Sequence, residues 1–410
     1  MSLRLVGAVA IAMVLAACSS EGPTAPKKIE QLPRPLSSVE QQIAEGSTGF
    51  GLSLLREVNE QSEPGTNVFI SPLSASMALG MTATGAAGET LDSMRTVLGY
   101  QDVDLEEMDE SYRSLIDLLR GLDPGVDFRI ANSIWYRDDL PVEQSFVDAT
   151  KKYFDAEVAA LDFGSPGAVG TINDWVKRST NDKIDKIVQE IPQEIVMYLI
   201  NAIYFKGSWT AQFDKAQTRD EPFFADDGSQ PSVPMMTVEG AFDAAATSEY
   251  SAVELPYGGG AYSMVVVVPQ QGYSVDSLIA RMDAPGWEAL LASLHDASGI
   301  VQIPKFRLEW KGNLNQSLID MGMGIAFDLG RADFTGISRG GGLAISTVDQ
   351  KTYVNVDEEG TEAAAVTAVG ITTTSAPSAL LRADRPFLFA IRERFSGTLL
   401  FIGKMAVPPT

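Results

Sequence analysis

Nineteen consecutive residues without a charge, Ala363–Leu381, constrain this chain more than any other feature. They follow a strand pattern ending at Val356 and a charged turn, Asp357-Glu358-Glu359, closed by Gly360. Taking every second residue from Thr361 gives Thr361, Ala363, Ala365, Thr367, Val369 and Ile371, all small or β-branched and none charged. The other set includes Glu362 and Gly370. Side chains alternate across a strand, so this is a strand with one face able to enter a core. Its Thr and Ser side chains and Pro377 argue against a membrane segment. A chain patterned this way must supply a sheet to receive the segment, or hold it out of one.

The remainder of the chain supplies such a sheet. Apolar residues Ile43, Phe50, Leu54, Leu55 and Val58 fall at helical spacing over 39–59. Asn67–Ile70 reads as a short strand, and Ser71-Pro72 then opens a helix with Ser as N-cap and Pro at the first position. Helical patterns follow near 88–98, 104–121, 143–153 and 168–180. Strand patterns begin at 126–136 and become dense after 195. Ile195–Phe205 is apolar almost throughout, which predicts a central strand buried on both faces. Met264–Val268 before Pro269 predicts another, and further strands are expected at 299–309, 343–356, 386–392 and 398–405. Helices give way to strands with no linker-like break, which predicts one α+β domain over 39–410.

The N-terminus reads as an address. Residues 5–17 form an uncharged apolar run after Arg4, too short to span a bilayer comfortably and of signal-peptide length. It ends in Leu15-Ala16-Ala17-Cys18-Ser19, which resembles the bacterial lipobox and implies lipidation of Cys18, the only Cys in the chain. Ser19 after the Cys implies the outer membrane or cell surface; an exported protein, lipid-anchored there or extracellular, is expected. Residues 18–38 are rich in Ser, Pro and charge and read as a flexible tether.

Composition removes several kinds of chemistry. Fifty-four acidic against 31 basic side chains give a net charge of −23, which opposes nucleic acid or an anionic membrane surface as the main partner. One Cys and one His, His295, leave no cysteine protease, disulfide scaffold or zinc finger. Gly336-Ile337-Ser338-Arg339-Gly340 matches a nucleophile elbow, but Gly341 and Gly342 follow where a helix is needed and no His lies downstream. A surface loop is expected there. His295 reads as a surface or helix-end residue, and Asp357-Glu358-Glu359 as a solvated turn, since three consecutive carboxylates do not converge on one ion. The chain is not expected to be an enzyme or to hold a cofactor or metal.

Five separated motifs then appear in one order. The stretch around Glu358, Gly360, Thr361, Glu362 and Ala363-Ala364-Ala365 resembles the hinge and reactive-centre loop of the serpins, protease inhibitors that work by loop insertion. Asn67–Ser74 resembles the strand and helix start at that family's shutter, with Asn67, Ser71 and Ser74 as its polar residues. Asn201–Trp209 resembles its central strand and the Trp of its breach. Asp384–Phe389 and Leu400–Met405 resemble its last two strands. The likeness spans about 39–407 and implies a large mixed sheet, further sheets, about eight or nine helices and an exposed loop over about 358–381. One departure is visible. Counting back from Gly360, the shutter position where the family often has His is Gln350 here, which can bond across to Asn201.

The resemblance implies a monomeric suicide substrate of serine proteases. The target attacks the loop, cleavage frees one end, and the loop inserts as a new strand while the acylated protease is carried away. Family spacing from Glu358 places the bond at Thr374-Ser375; spacing back from Pro386 places it after Ser375. The hinge count is preferred because insertion is measured from there. A small residue at the bond implies elastase-like or subtilisin-like targets. The loop has no Lys or Arg before Arg382, which opposes trypsin-like ones. The alternative is a non-inhibitory surface lipoprotein of the same fold, acting as a binding module.

Overall fold

The computed structural model describes residues 27–361 and 378–409. The signal segment, Cys18, hinge residues Glu362, Ala363, Ala364 and Ala365, and the bond at Thr374-Ser375 lie outside the described residues.

Local signals set the helix starts. Ser37 accepts the Glu40 N–H, and the Glu40 carboxylate accepts the Ser37 N–H, closing a capping box at helix α1, Ser38–Gln61. Its apolar stripe is buried, including Ile43, Phe50, Leu54 and Leu55. After strand β1, Val68–Ile70, the Ser71 hydroxyl caps helix α2, Pro72–Ala83. Every residue of α2 except Ala78 is buried. A helix apolar on all sides belongs inside a protein, and α2 packs between the two sheets described below. Helices α3 (Gly88–Leu98), α4 (Leu105–Arg120), α5 (Gln144–Phe154), α6 (Ala168–Ser179), α7 (Val275–Arg281), α8 (Ala284–Ser293) and α9 (Asn315–Leu318) complete nine α-helices among the described residues.

The first sheet is mixed and runs β10 (Phe306–Asn313), β11 (Asp349–Val356), β12 (Gly360–Thr361), β4 (Met197–Ser208), β2 (Val126–Arg137) and β3 (Glu157–Leu161). Strands β2 and β4 pair antiparallel from Val126↔Gly207 to Tyr136↔Met197, whereas β3 lies parallel to β2. The second sheet runs β1, β15 (Leu399–Met405), β14 (Phe387–Glu393), β8 (Tyr262–Pro269), β7 (Tyr250–Tyr257), β6 (Ser232–Ala246), β9 (His295–Pro304) and β13 (Ala379–Arg382), with β5 (Arg219–Pro222) on β6. Strands β8, β14 and β15 are buried at every position, as continuous apolar runs require.

Several expectations need correction. Strand β4 is not buried on both faces: Leu199, Asn201 and Ile203 are only half-buried. Ile200 and Ala202 pack under α6 with Trp175 and Ile172, but on the edge of β4 that faces β11 no described strand pairs with residues before Gly207. The strand expected over 299–309 breaks at Lys305 into β9 and β10, which belong to different sheets. Strand β11 begins at Asp349, not at 343. The expected tether is held against the body from Lys27 onward. There the Ile29 N–H donates to the Gly259 carbonyl at 2.8 Å, and Arg34 grips the buried Glu40 carboxylate with two nitrogens at 2.6 and 2.8 Å. Ser338 is buried rather than on a surface loop, because Ile337 plugs the space beside Gly85 and draws the turn inward. His295 is exposed at the start of β9.

Candidate functional site

The site is the top of the gap between β4 and β11. Strand β12 contributes two described residues to it, Gly360 and Thr361. Thr361 pairs with Val356 of β11 and Gly207 of β4, and Gly360 pairs with Ser208. A Cβ on Gly360 would stand 2.1 Å from the Gly207 carbonyl oxygen, so only glycine lets the chain enter here. Thr361 is buried, with its hydroxyl 2.6 Å from that of Tyr257. Burial pushes the Tyr257 phenol far above its ordinary value, so it stays a neutral partner. Tyr257 in turn stacks on Trp209, ring centroids 4.3 Å apart. Below Thr361 the two flanking strands frame a cleft of about 970 Å³, including space open to solvent, lined by Leu199, Asn201, Gln350 and Lys351 among others.

The charged turn above the gap is not solvated, contrary to expectation. Glu358 is 5% exposed; its carboxylate accepts from Thr218 Oγ1 and Lys305 Nζ, each at 2.9 Å. Burial alone would raise this carboxyl. The bonds from Lys305, its own backbone and Thr218, with the Lys305 charge, overcome that and hold it below the ordinary carboxylate value. Trp209 fixes the backbone of the same turn. Its indole N–H donates to the Asp357 carbonyl at 2.9 Å and its backbone N–H to that of Glu359, while the Phe213 N–H donates to that of Glu358. Lys215 pairs with Glu359. The turn thus carries β12 into the gap on a fixed path.

Lower down, α2 meets both strands. Ser71, at the cap of α2, receives Gln350: its N–H donates to Gln350 Oε1 at 2.8 Å, and Gln350 Nε2 donates to its carbonyl at 2.9 Å. Gln350 therefore binds both backbone groups of the N-cap Ser71, and not Asn201, the partner expected from the sequence. The reason is reach: a glutamine amide offers a donor and an acceptor side by side, which match the two backbone groups of Ser71. Asn201 instead donates to Asn132 Oδ1 at 2.6 Å across β4 and β2, and its own Oδ1 has no partner among the described residues. Ser74 Oγ donates weakly to the Asn201 carbonyl at 3.4 Å. Asn67 lies apart, bonded to the backbone of Ala406 and Val407 after β15. The structure therefore gathers Glu358, Gly360, Thr361 and Trp209 at one level and Ser71, Ser74, Asn201 and Gln350 at another. Sequence reasoning missed Lys305, Thr218 and Tyr257, partners far away in the chain that no local pattern marks. No cluster of metal-ligating side chains occurs among the described residues.

The family pattern described as Serpin (serine protease inhibitor) matches residues 45–408. The chain belongs to the serpins. A relative named leukocyte elastase inhibitor, from Sus scrofa, is 33% identical over 90% of this chain and 100% of its own length. The native state of the thermophilic serpin Tengpin superposes with TM-score 0.81 at 30% identity, over 93% of this chain and 97% of that one. Human thyroxine-binding globulin, solved in complex with thyroxine, superposes with TM-score 0.83 at 27% identity, over 91% and 100% of the two chains. This serpin therefore has the architecture of a family of serine protease inhibitors, and proteases are the partners that family implies.

Proposed function

We propose that this serpin is an inhibitory one, a suicide substrate cleaved at Thr374-Ser375 whose loop then enters the gap below Thr361. One observation carries the reading: β12 already occupies the top of that gap, and the next inward positions, Ala363, Ala365, Thr367, Val369 and Ile371, are uncharged. A charge there would be buried without a partner at a cost of several kcal/mol, whereas small and β-branched side chains enter a sheet readily. Ladder hydrogen bonds of roughly 1 kcal/mol net each then favour insertion. Thr374 suits an elastase-like or subtilisin-like protease with a compact primary pocket. Lipidation at Cys18 would hold the inhibitor at a bacterial outer membrane or cell surface, with the lipid as its only membrane contact.

Incubation with a panel of elastase-like, subtilisin-like and trypsin-like proteases tests the reading. An SDS-stable complex with the first two, and a released C-terminal peptide beginning at Ser375, are the expected results. The likeness to thyroxine-binding globulin favours a second reading, a binding module that traps no protease. Cleavage by every protease of the panel without any covalent complex would select it.

A further inference from the structure

The gap below Thr361 is roofed by one short turn after α6. A small cavity lies directly beneath β12, lined on the β4 side by Ile203 and Tyr204, on the β11 side by Tyr353 and Asn355, and above by Lys183 and Ile184. The turn is unusual in its backbone. Asn181 and Asp182, two successive non-glycine residues, have positive φ of 51° and 61°, a conformation L-residues adopt rarely. Local bonds hold it: Asp182 N–H donates to the Lys177 carbonyl at 2.8 Å, and Thr180 Oγ1 accepts the Ile184 N–H at 3.1 Å. Ile184 and Val188 bury the following segment against Trp135 and Trp175.

Two neighbours in this turn reach opposite banks of the gap. Asn181 Nδ2 donates to the Tyr204 hydroxyl on β4 at 3.2 Å. Lys183 Nζ lies 5.7 Å from the centre of the Tyr353 ring on β11, a ring that also meets the Arg307 guanidinium at 5.2 Å. One turn therefore ties together the two strands that a new strand must separate, at the level next to be filled.

Resting on the inhibitory reading above, we infer that Asn181 and Lys183 are positioning residues, a clasp that sets how fast the loop advances past Thr361. Insertion competes with hydrolysis of the acyl-enzyme, so the clasp sets the number of inhibitor molecules consumed per protease trapped. Lys183→Met keeps the length of the side chain and removes its charge from Tyr353. Loss of one such cation–aromatic contact corresponds to a rate change of about two- to fivefold. Asn181→Ala removes the bond to Tyr204 and disfavours the turn's backbone, acting in the same direction.

The test uses the full chain against subtilisin and reads two quantities. Stoichiometry of inhibition should fall towards one for both variants. Heat-driven loss of inhibitory capacity without any protease should accelerate by about two- to fivefold. Lys183→Arg, which keeps a cation over the ring, should match the unaltered protein. Wild-type values in both assays for Lys183→Met and Asn181→Ala would overturn the clasp. If the unaltered chain traps no protease, the inhibitory reading fails instead. The clasp is then tested on chain nicked in the loop, whose heat resistance should rise faster in the variants; equal rates, or no rise in any of them, would overturn it too.

Discussion

The hydroxyl of Thr361 lies 2.6 Å from that of Tyr257, and both side chains are buried at the point where the loop's first residues enter the sheet. This contact fixes which face of the loop turns inward. Thr361→Arg would force a cation into that space without a partner, at a cost of several kcal/mol. The variant should be cleaved by its target as an ordinary substrate and yield no SDS-stable complex; a complex at the unaltered level would argue against inward entry at Thr361.

Gln350 closes both backbone groups of Ser71, so its loss leaves a buried donor and a buried acceptor unmet. Each such group costs about 1–3 kcal/mol. Gln350→Ala should lower the unfolding free energy by a similar amount, read by urea titration at pH 7. Gln350→Glu keeps an acceptor for the Ser71 N–H but sets a buried carboxylate oxygen against the Ser71 carbonyl, and should destabilise at least as much at pH 7.

Lys305 separates β9 from β10 and reaches Glu358 from between them. The Glu358 carboxyl is held below its ordinary 4.5, so its contribution to stability is present above that value and disappears as pH falls through the depressed one. Lys305→Met should destabilise the protein at pH 7 by about 1–3 kcal/mol. The difference from the unaltered protein should shrink in acid, checked by urea titrations at pH 7 and pH 3.

Asp109 behaves in the opposite sense. It sits on α4, is 3% exposed, and has the Thr84 hydroxyl at the C-terminal end of α2 as a distant partner, 3.3 Å away. Burial pushes its carboxyl up to about 7, Thr84 offsets part of this, and Asp104 and Glu106 add to it. The raised value means stability that is fully present below the ordinary 3.8 and is lost as pH rises through about 7. Asp109→Asn should therefore melt higher than the unaltered protein at pH 8, and this advantage should vanish at pH 5.

The first six helices and strands β1, β2, β4, β8, β14 and β15 were legible because each leaves a local signature: an N-cap Ser before Pro72, a helical stripe in α1, an unbroken apolar run in β8. What was not legible depends on partners remote in sequence. Glu358 reads as a solvated acid until Thr218 and Lys305 are seen beside it. Gln350 has two plausible partners on paper, and only the position of α2 selects Ser71. The apolar run in β4 describes a strand that borders a gap as well as it describes a fully covered one. Docking of residues 27–36 against the body was hidden because their composition is that of a tether, while a backbone bond from Ile29 to Gly259 and the Arg34–Glu40 pair hold them in place.

Heat resistance before and after a single cut in the loop tests the central claim most directly. The chain is nicked near Thr374 and its thermal midpoint compared with that of the intact protein. Entry of the freed strand between β4 and β11 predicts a midpoint raised by tens of degrees, with new protection of the β4 and β11 amides in hydrogen exchange. A nicked protein that melts where the intact one does, with those amides unchanged, would contradict it.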